Sequence, residues 1–248
     1  MLSPSISEEG AVSDVTPLRL SKPTFDVALF TNQRDAMLAF WSGKAGLRLE
    51  ETQEIRAGYT QYRHAAHDAM VKLGHMEAPL PDGAPGGLRE LVIAREDCTS
   101  VTRLTDPDGN HVQLVPPGTF GVASTAMWMH VRSLGECGDF YANVVGLPVE
   151  AMAGGLSVAI GTSRLLLRED AAAVRDPPLQ GRGWRFLTLP VFDARGLYAQ
   201  LLSRGARDGM APKRMGDMAR YAFVRDPDGN WIELSQRASL TGPIGDDD

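Results

Sequence analysis

The 248 residues suffice for one large or two ordinary domains, and 43% hydrophobic with 23% charged content describes a folded globular chain. The net charge of −6, with no concentrated basic run, argues against a nucleic-acid partner, and no apolar run reaches the length of a membrane span. Cys98 and Cys137 form no spaced motif, residues 1–20 lack the apolar core of a signal peptide, and a cytoplasmic protein with free thiols is expected.

Residues 1–21, rich in Ser, Glu and Pro, read as a flexible tail. Thr24 to Phe30 alternates as a strand, with Phe25, Val27 and Leu29 on one face and Asp26 on the other. Asn32 is a candidate cap for a helix carrying Met37, Phe40 and Trp41, ended by Gly43 and Gly46. Strands are predicted over 48–56, 59–65, 69–76 and 88–95, with a Pro/Gly loop over 79–87. Pro116-Pro117-Gly118 reads as a linker, after which the pattern restarts. A strand over 126–132 puts Trp128, His130 and Arg132 on one face, a short helix carries Phe140 and Tyr141, and strands follow over 154–161 and 163–168. Beyond a loop over 171–183 come a strand over 184–191 and a helix capped by Asp193, with Leu197, Leu201 and Leu202 at helical spacing.

Two closing hairpins are the strongest local signal. Asp106-Pro107-Asp108-Gly109-Asn110 and Asp226-Pro227-Asp228-Gly229-Asn230 place Pro at the second turn position and Gly where a positive φ is wanted. In the returning strands Val112 and Leu114 oppose His111 and Gln113, and Ile232 and Leu234 oppose Trp231 and Glu233. Phe40-Trp41 and Gly46-Leu47 reappear as Phe140-Tyr141 and Gly146-Leu147, so the chain contains an internal repeat.

Strand, aromatic helix end, further strands and a closing DPDGN hairpin together resemble the vicinal oxygen chelate superfamily of glyoxalases, bleomycin-resistance proteins and extradiol dioxygenases. The resemblance covers nearly all of 22–237. It implies an α+β fold of tandem domains built from four βαβββ modules, the second truncated, each domain a cup-shaped curled mixed sheet with helices outside. The expected boundaries are 22–118 and 125–237, joined by a linker over 119–124 and followed by an acidic tail over 238–248.

The resemblance also implies metal ligands on the first and last strands of paired modules. His130 matches the first-strand position of the third module and Glu233 the closing-hairpin position of the fourth, while Phe186 stands at a third position and cannot ligate. In the first domain the matching positions are Asp26, Glu90 and Gln113, oxygen donors suited to a hard cation. Should modules pair across the domains, Asp26, Gln113, His130 and Glu233 would instead form one site. Trp128, Trp184, Phe186, Tyr221, Phe223 and Trp231 fall on the face of His130 and Glu233, as the aromatic wall of a small-molecule pocket or as ordinary core. A polar cluster over 63–75 offers His64 and His67 as general bases and Lys72 as an anion-binding group, or else a polar turn.

Two functions are therefore expected. One is a divalent-metal-dependent enzyme (Fe, Mn, Ni, Zn or Mg) acting on a small oxygenated organic molecule by glyoxalase- or epimerase-type proton transfer or by dioxygenase-like chemistry. The other is a non-catalytic small-molecule binding protein. A homodimer is expected in either case.

Overall fold

A computed structural model describes residues 16–81, 83 and 85–245. The predicted tail over 1–15 and the final acids at 246–248 lie outside the described residues. The first module runs β1 (Asp26–Thr31), α1 (Arg34–Ala39), β2 (Arg48–Arg56), β3 (Tyr59–Ala66) and β4 (Ala69–Met76). The second has only β5 (Leu88–Ala94), β6 (Thr102–Thr105) and β7 (His111–Val115), so it lacks a helix and one strand. The third is β8 (Thr125–Val131), α2 (Leu134–Asp139), β9 (Val149–Met152), β10 (Gly155–Ile160) and β11 (Ser163–Glu169). The fourth is β12 (Gly183–Pro190), α3 (Ala194–Ser203), β13 (Arg207–Met215), β14 (Ala219–Arg225) and β15 (Trp231–Arg237), followed by the single turn α4 (Ala238–Thr241).

In each module the first strand lies parallel to the last, and the remaining edge of the first strand pairs antiparallel with the first strand of another module. For the first module that partner is the fourth module and not the second. β1 pairs with β12 and β5 with β8, so the first and fourth modules share an eight-stranded sheet and the second and third a seven-stranded one. The predicted divisions 22–118 and 125–237 thus contribute one module to each sheet. The convex faces share one core: Val27, Leu29, Leu187 and Leu234 from one sheet, Met127, Met129 and Leu165 from the other, with Met37, Trp41, Tyr141 and Leu201 from the helical segments.

Three local expectations change. Asn32 does not cap α1; its amide donates to the carbonyls of Met76 and Ala78 and its oxygen accepts from Leu80 N, tying down the chain beyond β4. Leu18 and Ser21 make backbone bonds to Gly146 and Pro190, so the end of the predicted tail is docked. Ile244 is buried and Arg220 donates to the Gly245 carbonyl, which docks the C-terminal segment as far as 245. Strands β9 and β13 were not predicted: β9 is only four residues long, and Gly209 and Pro212 interrupt the alternation of β13.

The DPDGN hairpins clip the two sheets together. Asp106 and Asp226 each accept backbone bonds from inside their own turn, which holds the following Asn in place. Asn230 then accepts from Gly87 N at 2.6 Å and Asn110 from Trp184 N at 3.3 Å, each reaching from one sheet to the start of the other. Gly87 permits that approach, since a Cβ there would lie 2.6 Å from the His130 carbonyl oxygen. Asn230→Ala strands a buried N–H and removes a donor from Asp226, so it is expected to cost about 1–3 kcal/mol in urea unfolding while leaving ligand affinity unchanged.

Candidate functional site

The eight-stranded sheet curls enough for its opposite edge strands, β2 and β13, to line one cavity of about 400 Å³. At its floor the small Ala28 leaves room between longer neighbours on β4 and β12, whose register partners to it are Lys72 and Phe186. Asp26, Thr188 and Glu233 are register partners across β1, β12 and β15, so pleating brings them onto the same concave face.

Lys72 is only 4% exposed. Its ammonium donates to Glu233 Oε2 at 2.7 Å and to Thr188 Oγ1 at 2.8 Å, and Thr188 in turn donates to Glu233 at 2.5 Å. Burial pushes the Lys72 ammonium below its ordinary range, against the opposing pull of Glu233 and Asp26. Arg63 is also buried, beside Lys72 in register, 3.2 Å from Glu51 and 3.9 Å from Asp26, and donates to Gln61. Burial and then the charge of Arg237 lower its proton affinity. Asp26 is held separately, by Lys22 at 2.5 Å and by Met70 N at 2.8 Å.

The walls are apolar. Phe186, Phe223 and Phe30 pack with Ala28, Met76 and Leu80, flanked by Tyr59, Tyr221 and Trp231. Phe223 meets Phe186, Tyr221 and Trp231 edge to face at 5.2, 6.3 and 5.8 Å. Burial raises the hydroxyl pKa of Tyr59, and burial with the nearby Glu233 raises that of Tyr221, so both stay neutral donors. Arg225 lies 4.0 Å over Trp231, whose indole N–H donates to the Pro177 carbonyl. That bond ties in the loop that brings Leu179 and Gln180 into the lining.

The structure joins some predicted residues and separates others. Glu233, Lys72, Phe186, Tyr221 and Phe223 line this cup, with Trp231 packed beside it. Trp184 does not. A bulge opposite Ala28 and Leu29 inserts Arg185, reverses the expected parity, and sends Trp184 into the convex core, 5.8 Å from Trp41. His130 and Trp128 lie on β8, in the other sheet from Glu233, so the predicted pair across one cup is not formed. His130 instead meets Asp170, Nδ1 to Oδ2, at 3.1 Å. Asp26 is likewise separated from Glu90 and Gln113, which bond to each other at 2.5 Å on the seven-stranded sheet. Neither alternative ligand group therefore assembles, because β1 pairs with β12 rather than with β5. His64 points away from the cup towards Ser42, and His67 sits in the β3–β4 turn with its ring against the Ala94 carbonyl. Sequence reasoning passed over Thr188, Gln61 and Tyr59; the alternation Tyr59, Gln61, Arg63 along β3 was the available signal.

The second cup differs. Its floor is a small apolar cluster of Val92, Ala94, Val115, Ala126 and Leu166, with Trp128 between Phe120 and Arg168.

The donor set of the first cup does not suit a divalent cation. Lys72 stands between the cup strands with its ammonium on Glu233, and the described residues contain no group of three or more His, Cys, Asp and Glu side chains that could hold a metal.

Residues 125–234 match the family model of the glyoxalase/bleomycin resistance protein/dioxygenase superfamily. Glyoxalase I from Zea mays superposes with a TM-score of 0.67 at 14% identity, covering 86% of this chain and 92% of that one. A candidate dioxygenase from Bacillus subtilis superposes with a TM-score of 0.67 at 11% identity, covering 90% of this chain and 86% of that one. At such identities the likeness is one of fold alone. No curated protein matches the sequence.

Proposed function

We propose that this chain is a member of the glyoxalase/bleomycin resistance protein/dioxygenase superfamily, whose model matches residues 125–234, and that it binds a small oxygenated organic molecule in the cup between its first and fourth modules. The observation that carries this reading is the buried Lys72–Glu233–Thr188 cluster at the floor of an aromatic cavity of about 400 Å³. A cavity of that size with apolar walls and polar groups gathered at one end orients a ligand by its oxygen atoms and retains it by its apolar body. Lys72 supplies a buried N–H donor, paired with Glu233, to such an oxygen.

A second reading is catalytic. Glu233 has a carboxylate in the cup, and a base beside an ammonium suits proton abstraction next to a carbonyl, with Lys72 steadying the enolate oxygen. Against it, Glu233 Oε2 is already taken up as the acceptor of two hydrogen bonds, from Lys72 and from Thr188. Binding is therefore preferred.

The neutral aromatic 2-naphthamide serves as the test probe. Calorimetry should show it binding to the wild type, and Ala28→Phe, which fills the floor of the cup, should abolish that binding. Unchanged affinity in the variant would place the ligand elsewhere. Exchange of an acidic C–H of a bound ketone for deuterium, lost in Glu233→Gln, would favour catalysis.

A further inference from the structure

The charge lining the first cup opposes that of the whole chain. Arg56, Arg63, Lys72, Arg214 and Arg237 line it, against the single acid Glu233, in a protein whose net charge is −6. Some of this charge is met from behind, by Glu51 for Arg63 and Arg237 and by Asp217 for Arg214. Within the lining, the basic excess remains. Lys72 carries three N–H donors, and among the described residues Glu233 and Thr188 take two of them. Among the described residues the third meets no acceptor, which is costly for a buried ammonium unless something else supplies an oxygen.

We infer that the ligand of this cup is an organic anion, an aromatic or otherwise flat apolar body carrying one carboxylate or enolate oxygen, and that this oxygen binds at Lys72. The inference rests on the cup being the ligand site. It names the charge of the ligand and the residue that reads it. The aromatic walls select the body, since rings there are already arranged edge to face. Lys72 is the deepest of the cationic groups, flanked by Arg63 and facing Phe186 at 5.9 Å from the ring centroid, so an anion reaching it must bury its apolar end against the phenylalanines. Glu233 then acts as a competitor: it shares Lys72 with the ligand and tempers the affinity. A charged donor in a dry site discriminates strongly between a carboxylate and its neutral amide, because the amide leaves the ammonium undercompensated.

The experiment compares 2-naphthoate with 2-naphthamide, a pair matched in shape, by calorimetry on the full chain. Wild type should bind the naphthoate roughly tenfold or more tighter than the amide, the ratio expected for one charge-assisted hydrogen bond. Lys72→Met should erase that preference while retaining the amide. Glu233→Gln, which keeps an acceptor for Lys72 and removes the competing charge, should widen it, and this arm stands whether or not Lys72→Met folds. Equal affinity of wild type for both probes would overturn the inference and leave the cup as a ligand site. A naphthoate preference unmoved by both variants would also overturn it, by placing the anion away from Lys72. Failure of both probes to bind would reject the binding site itself.

Discussion

Lys72→Met is expected to lower the unfolding free energy by about 3–5 kcal/mol, the usual penalty for removing one partner of a buried ion pair. The loss arises less from the missing attraction than from what remains. Glu233 keeps only the Thr188 hydroxyl, in a cup walled by phenylalanines, and its side chain is 14% exposed. That partial exposure lets water reach the carboxylate and favours the lower end of the range. Lys72→Met combined with Glu233→Gln should recover most of the loss, because no unpaired charge is then buried. Urea unfolding of the two single variants and the double variant measures the coupling. A single variant as stable as wild type would show that the pair contributes nothing to the fold. A double variant no better than Lys72→Met would mean that lost packing of the lysine stem, not the stranded carboxylate, is responsible.

Much of this architecture was legible in the sequence. The hairpins repeat as DPDGN, and the alternation after each turn assigned Glu233 to a concave face and Leu234 to the core, where the structure has them. The module count and the truncation of the second module also follow from the pattern. The partnership of the modules does not. Each module presents the same kind of first-strand edge, and whether β1 joins β12 or β5 depends on long-range packing that leaves no local trace. That one topological choice decides the site: it separates His130 from Glu233 and Asp26 from Glu90, and it brings Lys72 to Glu233. Trp184 was misread for a smaller reason. A period-two argument fails at a bulge, and the glycine at Gly183 with its positive φ was the only hint that the strand begins irregularly.

His64 should make the protein lose stability as the pH falls from about 6.5 to about 4. Its ring is fully buried on β3; Nε2 lies 3.2 Å from Ser42 Oγ, and Nδ1 has no hydrogen-bond partner. A second proton on the ring would put charge into the core, so burial lowers the imidazole pKa from 6.5 to about 4, against a smaller opposing pull from the Tyr62 backbone. Between those values the unfolded chain binds a proton that the folded chain refuses. The penalty is therefore absent well above pH 6.5, grows as acid is added, and by pH 4 amounts to a loss of about 3 kcal/mol. Asp226 works in the opposite sense over much of the same window. Burial raises it to about 7, so the folded chain holds its proton more tightly, and its contribution weakens as the pH rises from 4 towards 7. The two contributions oppose each other in the wild-type curve, so the difference between wild type and His64→Gln is the quantity to measure. Glutamine keeps a partner for Ser42 and does not titrate. The variant should gain on the wild type steadily from pH 6.5 down to 4, with ligand affinity at pH 7 unchanged, because His64 faces Ser42 and not the cup. A difference that does not vary with pH would show that His64 is charged in the folded protein, or is not buried as described.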